Sequence, residues 1–291
     1  MKILIIGNGF LGKRIAGEWP DAVLSDKMIY TVDDALAVLD EHQPDAVLNA
    51  AGIVGKPNVD WCETNQRVTI AGNTVLPLLI ADACQQKGIY LLHMGTGCVY
   101  YGEGPWKEND HANPSAVYTR TKYAADLALS TLPNVGIARI RMPIDHIPSG
   151  ANLIDKLVSF KRVIDVENSV TVVEDMIKAF RQLIEQKAVG IFHVTNPGTI
   201  KHKDIIAMYH EIVDPDHINE WITEEDLVKE GLAMKKRSNN FLLSDNLLKA
   251  GVQMRPVKEA LRDVLEKYAK LKNREKRENI VREGCGDACG A

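Results

Sequence analysis

The sequence predicts an α/β fold, a doubly wound parallel sheet with a small C-terminal lobe, and three observations carry that prediction. Apolar, β-branched runs bounded by turn residues alternate with amphipathic stretches through the first half, as strand–helix–strand units do. A Gly-x-Gly-x-x-Gly string, Gly7 to Gly12, stands directly after the first apolar run and opens a helix. After Pro143 the alternation loosens, which marks the start of a second unit. At 291 residues the chain is long for one domain and short for two full-sized ones.

Lys2 to Ile6 reads as a buried parallel strand and Phe10 to Trp19 as the helix after it. In the turn between them, Gly7 permits the bend, Gly9 lets a pyrophosphate approach the backbone, and Gly12 packs helix on strand; Asn8, Phe10 and Leu11 complete the loop. The helix N-terminus offers free N–H groups to phosphates, so this is a Rossmann dinucleotide site. A short second strand ends near Val23 to Lys27. An acid there favours NAD and a base NADP; Asp26 and Lys27 point opposite ways, and Ser25 and Lys27 tilt the reading to NADPH, with NADH the alternative.

Thr31 to His42 is a helix closed by Pro44, and Asp45 to Gly52 a buried strand. The small residues Asn49, Ala50, Ala51 and Gly52 at its end let a cofactor lie against the backbone. Lys56 to Glu63 is polar and aromatic, with Trp61 a candidate platform for a base or sugar. Val68 to Lys87 is a long helix that Pro77 should kink or displace. Ile89 to Met94 is the strand that delivers Gly95-Thr96-Gly97-Cys98, with His93 as a core or supporting residue. A helix from Tyr118 to Leu132 and a strand from Val135 to Arg141 follow. Beyond Pro143 the pattern gives helices at 151–160, 169–186, 201–212, 223–231 and 256–282, and a strand at 191–195 turning at Asn196-Pro197-Gly198.

Hydrophobic content of 45%, charged content of 25% and a net charge of −4 describe an ordinary globular protein without a basic stripe for nucleic acid. No run reads as a membrane span, and no signal-peptide pattern opens the chain. The five cysteines, odd in number and scattered, indicate free thiols in a reducing, cytoplasmic setting. Cys285 and Cys289 lie in a small-residue tail without the partners of a metal site, and no other metal-ligating cluster stands out.

Tyr118 and Lys122, four apart, share a helix face. An ammonium beside a phenol favours the phenolate, which would bring the tyrosine down from about 10 towards working pH and suit it to proton transfer at a carbonyl.

Together with the glycine loop, Asn49-Ala50-Ala51-Gly52 and Thr96, this pair resembles the extended short-chain dehydrogenase/reductases. Arg237 to Asn240 followed by Leu-Leu-Ser-Asp resembles the dTDP-4-dehydrorhamnose reductases. Pro57 to Glu63, Thr96-Gly97-Cys98, Arg139 to Ile144 and Thr195 to Gly198 are similar to segments of the bifunctional nucleotide-rhamnose synthases, 3,5-epimerase/4-reductases. The resemblance runs to about residue 270.

It implies a NAD(P)H-dependent enzyme acting on a UDP- or dTDP-linked 4-keto-6-deoxy sugar, with assembly as a homodimer left open. Tyr118 would protonate the carbon-4 oxygen, Lys122 would hold the nicotinamide ribose, and Thr96 would orient the carbonyl. Cys98, where reductase-only relatives have the tyrosine of Thr-Asp-Tyr, would be the epimerisation base and Lys156 its partner acid. Trp61, Asn196, Arg237 and Asn240 would hold the sugar nucleotide. The implied division is 1–145 plus about 170–196 for the cofactor, about 146–169 plus 197–283 for the sugar nucleotide, and a flexible tail at 284–291. A reductase without epimerase activity, or a non-catalytic cofactor-binding regulatory subunit, remain the alternatives.

Overall fold

A strand with no polar residue, Ile3–Ile6, is buried along its whole length and sits inside the sheet that dominates the molecule. The computed structural model describes residues 1–56, 58–102 and 104–286, with side chains as far as Arg274. With β1 (Ile3–Ile6), the sheet contains β2 (Ala22–Ser25), β3 (Ala46–Asn49), β4 (Tyr90–Thr96), β5 (Val135–Ile140) and β6 (Gly190–His193). All pairings are parallel and the order is β6-β5-β4-β3-β1-β2. The order reverses between β1 and β3. At such a switch point a crevice opens beyond the carboxyl ends of the strands.

Alternation along β1 divides the core. Ile3 and Ile5 face α1 (Phe10–Glu18) and α5 (Val173–Glu185) through Ile15, Met176 and Phe180. Leu4 and Ile6 face α2 (Val32–His42) and α3 (Leu76–Lys87) through Val38, Leu39 and Ile80. The same face receives Ala125 and Leu129 of α4 (Val117–Leu129). α2 starts with a capping box, Thr31 and Asp34 exchanging side-chain and backbone bonds.

The long helix at Pro77 is one run from Gln66 to Lys87 with a wider π-turn at Ala71–Val75. Proline has no N–H to donate and crowds the carbonyl four residues back, so the turn loosens around it. By length and composition this run would suffice to cross a membrane, which corrects the reading that no stretch does. Here Ile80, Ala81, Ala83 and Cys84 pack into the core beneath the sheet.

A separate core holds Ile144, Leu153, Leu157, Val163, Val172, Ile205, Tyr209 and the Leu261–Tyr268 face of the last helix, Val257–Gly286. The helix expected at 169–186 is shorter. Thr171 and Val172 instead pair with Pro143 and Ile144, and α5 begins only at Val173. The tail beyond residue 286, with Cys289, lies outside the described residues, as does the Cys285 side chain.

Candidate active site

The site begins with the three glycines, whose roles the geometry separates. Gly7 has φ +119°, and a Cβ there would stand 2.4 Å from the Ala51 nitrogen, so β1 and the loop after β3 touch through it. A Cβ on Gly12 would fall 1.9 Å from the Gly7 carbonyl oxygen. A Cβ added at Gly9 would meet nothing within 4 Å, so the space on that side of the glycine is open. That cradle fits a pyrophosphate, because the first-turn N–H groups have no partners within their own helix. Beside it, Ser25 is buried and accepts from the Lys27 amide at 3.3 Å, while the exposed Lys27 ammonium stands 3.9 Å from Glu41. Ala50 and Ala51 are half-buried and lie against Gly7. The Asn49 side chain is buried, accepting from Ala51 N at 3.0 Å and meeting His93 Nδ1 at 3.1 Å.

α4 carries Tyr118 and Lys122 on the stripe that continues to Asp126. Glu63 holds its N-terminus, accepting from Val117 N at 2.8 Å. Its flank is tied to the π-turn: Thr74 donates to the Thr121 carbonyl at 2.8 Å, and Asn73 reaches Thr121 Oγ1 at 3.3 Å. Asn73 also brackets both backbone groups of Ile53, which anchors the loop beyond Gly52.

The expected effect of Lys122 on Tyr118 is corrected here. Lys122 Nζ, buried, donates to the Met94 carbonyl at 2.7 Å and lies 3.3 Å from His93 Nε2. Loss of hydration lowers its pKa to about 8, and Asp126 only partly opposes this. Burial instead pushes the half-buried Tyr118 phenol above its ordinary value, negative charge at Cys98 adds to the rise, and a hydrogen bond to Thr96 opposes it. His93, buried beside Lys122, is held well below the usual imidazole range, mainly by desolvation.

Four of the predicted catalytic residues meet. Thr96, at the end of β4, accepts from Cys98 N at 3.2 Å and stands near enough to the Tyr118 phenol to oppose the rise in its pKa. Cys98, in the short turn Gly97–Val99, is close enough to Tyr118 and to Lys156 for its charge to act on both. Lys156 comes from the small lobe, on the helix Leu153–Ser159, and burial lowers its pKa.

The sequence reading missed the cation on the sulfur. Arg141 Nη1 donates to Cys98 Sγ at 2.7 Å, and its other nitrogen reaches Asn168 Oδ1 at 2.5 Å and the Ser238 carbonyl. Arg141 lies inside the Arg139–Ile144 string, but nothing local to it announces a thiol 43 residues away.

Of the predicted sugar-nucleotide residues, Arg237 and Trp61 are only partly buried. Arg237 forms a two-pronged pair with Asp60, at 2.8 and 2.9 Å, and Lys235 bonds Glu63 at 2.8 Å. Trp61 is half-buried and covers Gly55, where a Cβ would lie 2.8 Å away. Asn196 and Asn240 are corrected to structural roles. Asn196 bonds Val172 N, Asp175 and the Arg255 carbonyl, all inside the protein. Asn240 Nδ2 is taken by the carbonyls of Gly97 and Tyr100, so it fastens the thiol-bearing turn. Both are almost fully buried, and among the described residues the Asn240 Oδ1 has no hydrogen-bond partner.

Comparison with known proteins agrees with this frame. Residues 1–270 match the family model described as the RmlD substrate binding domain. A bifunctional dTDP-4-dehydrorhamnose 3,5-epimerase/dTDP-4-dehydrorhamnose reductase of Arabidopsis thaliana is 31% identical over 263 residues, 87% of each chain. A trifunctional UDP-glucose 4,6-dehydratase/UDP-4-keto-6-deoxy-D-glucose 3,5-epimerase/UDP-4-keto-L-rhamnose-reductase of the same plant is 31% identical over 281 residues, and the match spans 41% of its length. The crystal structure of a UDP-rhamnose synthase from Acanthamoeba polyphaga mimivirus superimposes with a TM-score of 0.85 at 27% identity, covering 92% of this chain and 99% of that one. The chain is an enzyme and belongs to the RmlD substrate-binding-domain family.

Proposed function

We propose that the protein converts UDP-4-keto-6-deoxy-D-glucose to UDP-L-rhamnose by inverting carbons 3 and 5 and reducing carbon 4, with NADPH as reductant. The observation that carries this reading is the shared pocket: the Cys98 sulfur, flanked by Arg141 and near Lys156, acts electrostatically on the Tyr118 phenol.

A ketone at carbon 4 acidifies the hydrogens on carbons 3 and 5. The Cys98 thiolate removes one, the electron pair passes to the carbonyl oxygen as an enolate, and Lys156 returns a proton to the opposite face. Thiolate is the basic form of cysteine, and Arg141 supplies its counter-charge. Thr96 donates to the developing oxyanion. The bound nicotinamide supplies hydride to carbon 4. Tyr118 then gives its proton to the oxygen there, and its high resting pKa suits a donor that must keep its proton until the oxyanion forms. Gly9 and the α1 N-terminus would hold the dinucleotide pyrophosphate, and Arg237 the sugar-nucleotide diphosphate.

The test is incubation with the 4-keto sugar nucleotide in deuterated water without cofactor. Deuterium is expected at carbons 3 and 5. A product without it there, together with NADPH oxidation on the already epimerised sugar, would leave a reductase that depends on a separate epimerase.

A further inference from the structure

Around Lys122 the directions of the hydrogen bonds leave one proton arrangement. The Asn49 amide is fixed in orientation, because its oxygen accepts from Ala51 N at 3.0 Å. Its nitrogen, a donor only, therefore faces His93 Nδ1 at 3.1 Å, and Nδ1 must accept. In a neutral imidazole the hydrogen then sits on Nε2. That hydrogen points at Lys122 Nζ, 3.3 Å away, and an ammonium has no lone pair to receive it. A neutral amine does: it accepts from His93 Nε2 and still donates to the Met94 carbonyl at 2.7 Å.

We propose that His93 is a positioning residue that biases Lys122, turned from Tyr118, towards the uncharged amine, so that at alkaline pH dinucleotide binding is coupled to the uptake of one proton from solvent by the lysine. The change is balanced: amine plus proton gives ammonium, while His93 stays neutral.

The charged surroundings agree with it. His93, on β4, is buried and held well below its ordinary pKa. Asp126, one turn along α4, favours the ammonium, but its Oδ2 is bonded at 2.8 Å to Arg139 of β5, which offsets that negative charge. The π-turn reaches this stretch of the helix through the uncharged Asn73 and Thr74, while Glu63 sits at its N-terminus and Cys98 lies near Tyr118. In the working complex an ammonium would stand beside an anionic dinucleotide. His93 is thus a latch on the lysine and takes no part in the chemistry.

The first test uses the ligand-free protein. Nitrogen NMR of labelled histidine should place the His93 proton on Nε2, and carbon NMR of methylated lysines should show Lys122 titrating near 8. A proton on Nδ1, or a Lys122 midpoint in the ordinary lysine range, overturns the proposal. That arm involves no sugar, so its failure leaves the rhamnose reading intact.

The second test is NADPH affinity against pH and rests on the reading of Lys122 as a cofactor contact. A free-state pKa near 8 makes Kd about tenfold weaker at pH 9 than at pH 7. In His93→Gln, whose amide oxygen can accept from an ammonium, the ratio should fall towards one while binding at pH 7 is kept. A merely structural histidine would weaken binding equally at both pH values, and an unchanged ratio in the variant overturns the latch. Should that variant not fold, the wild-type ratio and the NMR titration still decide.

Discussion

At the residue scale, the proposed function gives Cys98 and Tyr118 separate reactions. Cys98→Ala should lose deuterium exchange at carbons 3 and 5 by at least about a hundredfold, yet still oxidise NADPH on pre-epimerised substrate. Tyr118→Phe should give the reverse: exchange retained and reduction lowered about 10² to 10⁴-fold. Proton NMR of the sugar and NADPH absorbance read the two arms separately. Much of this pocket was legible in the sequence, because Thr96, Cys98, Tyr118 and Lys122 each sit in a short string that names its chemistry. Arg141 was not, since its meaning lies in a sulfur 43 residues away. Nor was the inward turn of Asn196 and Asn240: a string match fixes residue type and leaves open which way an amide points. The idea of Lys122 lowering the Tyr118 pKa treated i and i+4 as facing pairs, whereas a buried amine goes to whichever acceptor lies nearest, here a strand carbonyl.

At the element scale, α4 depends on a cap from elsewhere in the chain. Glu63, only 11% exposed in its side chain, accepts from the first-turn amide of Val117 and at the same time binds Lys235. A carboxylate at a helix N-terminus is favoured by the free N–H groups and the helix dipole. Glu63→Ala should cost about 1 kcal/mol in urea unfolding and lower kcat, because Tyr118 is the next residue along. Glu63→Gln, which keeps an acceptor without the charge, should recover most of the stability. Elements as such were easy to read: the glycine loop, the buried strands and the Pro77 disturbance each have a local cause. Boundaries were harder. Thr171 and Val172 look like the start of a helix, and only their pairing with Pro143 and Ile144 makes them a strand.

At the scale of the whole molecule, two features give predictions. Arg237–Asp60 and Lys235–Glu63 tie the late segment around residues 235–237 to the loop and short helix after β3. Arg237→Ala should weaken sugar-nucleotide binding by about tenfold or more and leave NADPH binding unaltered, as calorimetry with each ligand alone would reveal. The second concerns acid. His93, His193 and His202 are buried with depressed pKa values, His193 to about 3, and burial is the chief cause in each. The unfolded chain binds protons at these positions first, so their stabilising effect is complete above about 6.5 and erodes as the pH falls below it. Each contributes about 1.4 kcal/mol per pH unit in that window. Glu108, raised by burial, acts in the opposite sense. Urea unfolding at pH 5 should therefore give markedly lower stability than at pH 7, with His93→Gln shedding part of the difference.

The smaller core is stitched from stretches around residues 144–172, 200–213 and 257–268, and between them the chain returns to finish the sheet with β6 and to add Leu247, Val252 and Met254 beneath it. During synthesis, then, the last part of the smaller core leaves the ribosome after every strand of the main sheet. A product cut near residue 145 lacks β6, which leaves β5 with a bare outer edge, and it lacks Lys156 and Arg237 altogether. Such a product would lack both an edge strand of the main sheet and residues that the proposed function assigns to the substrate.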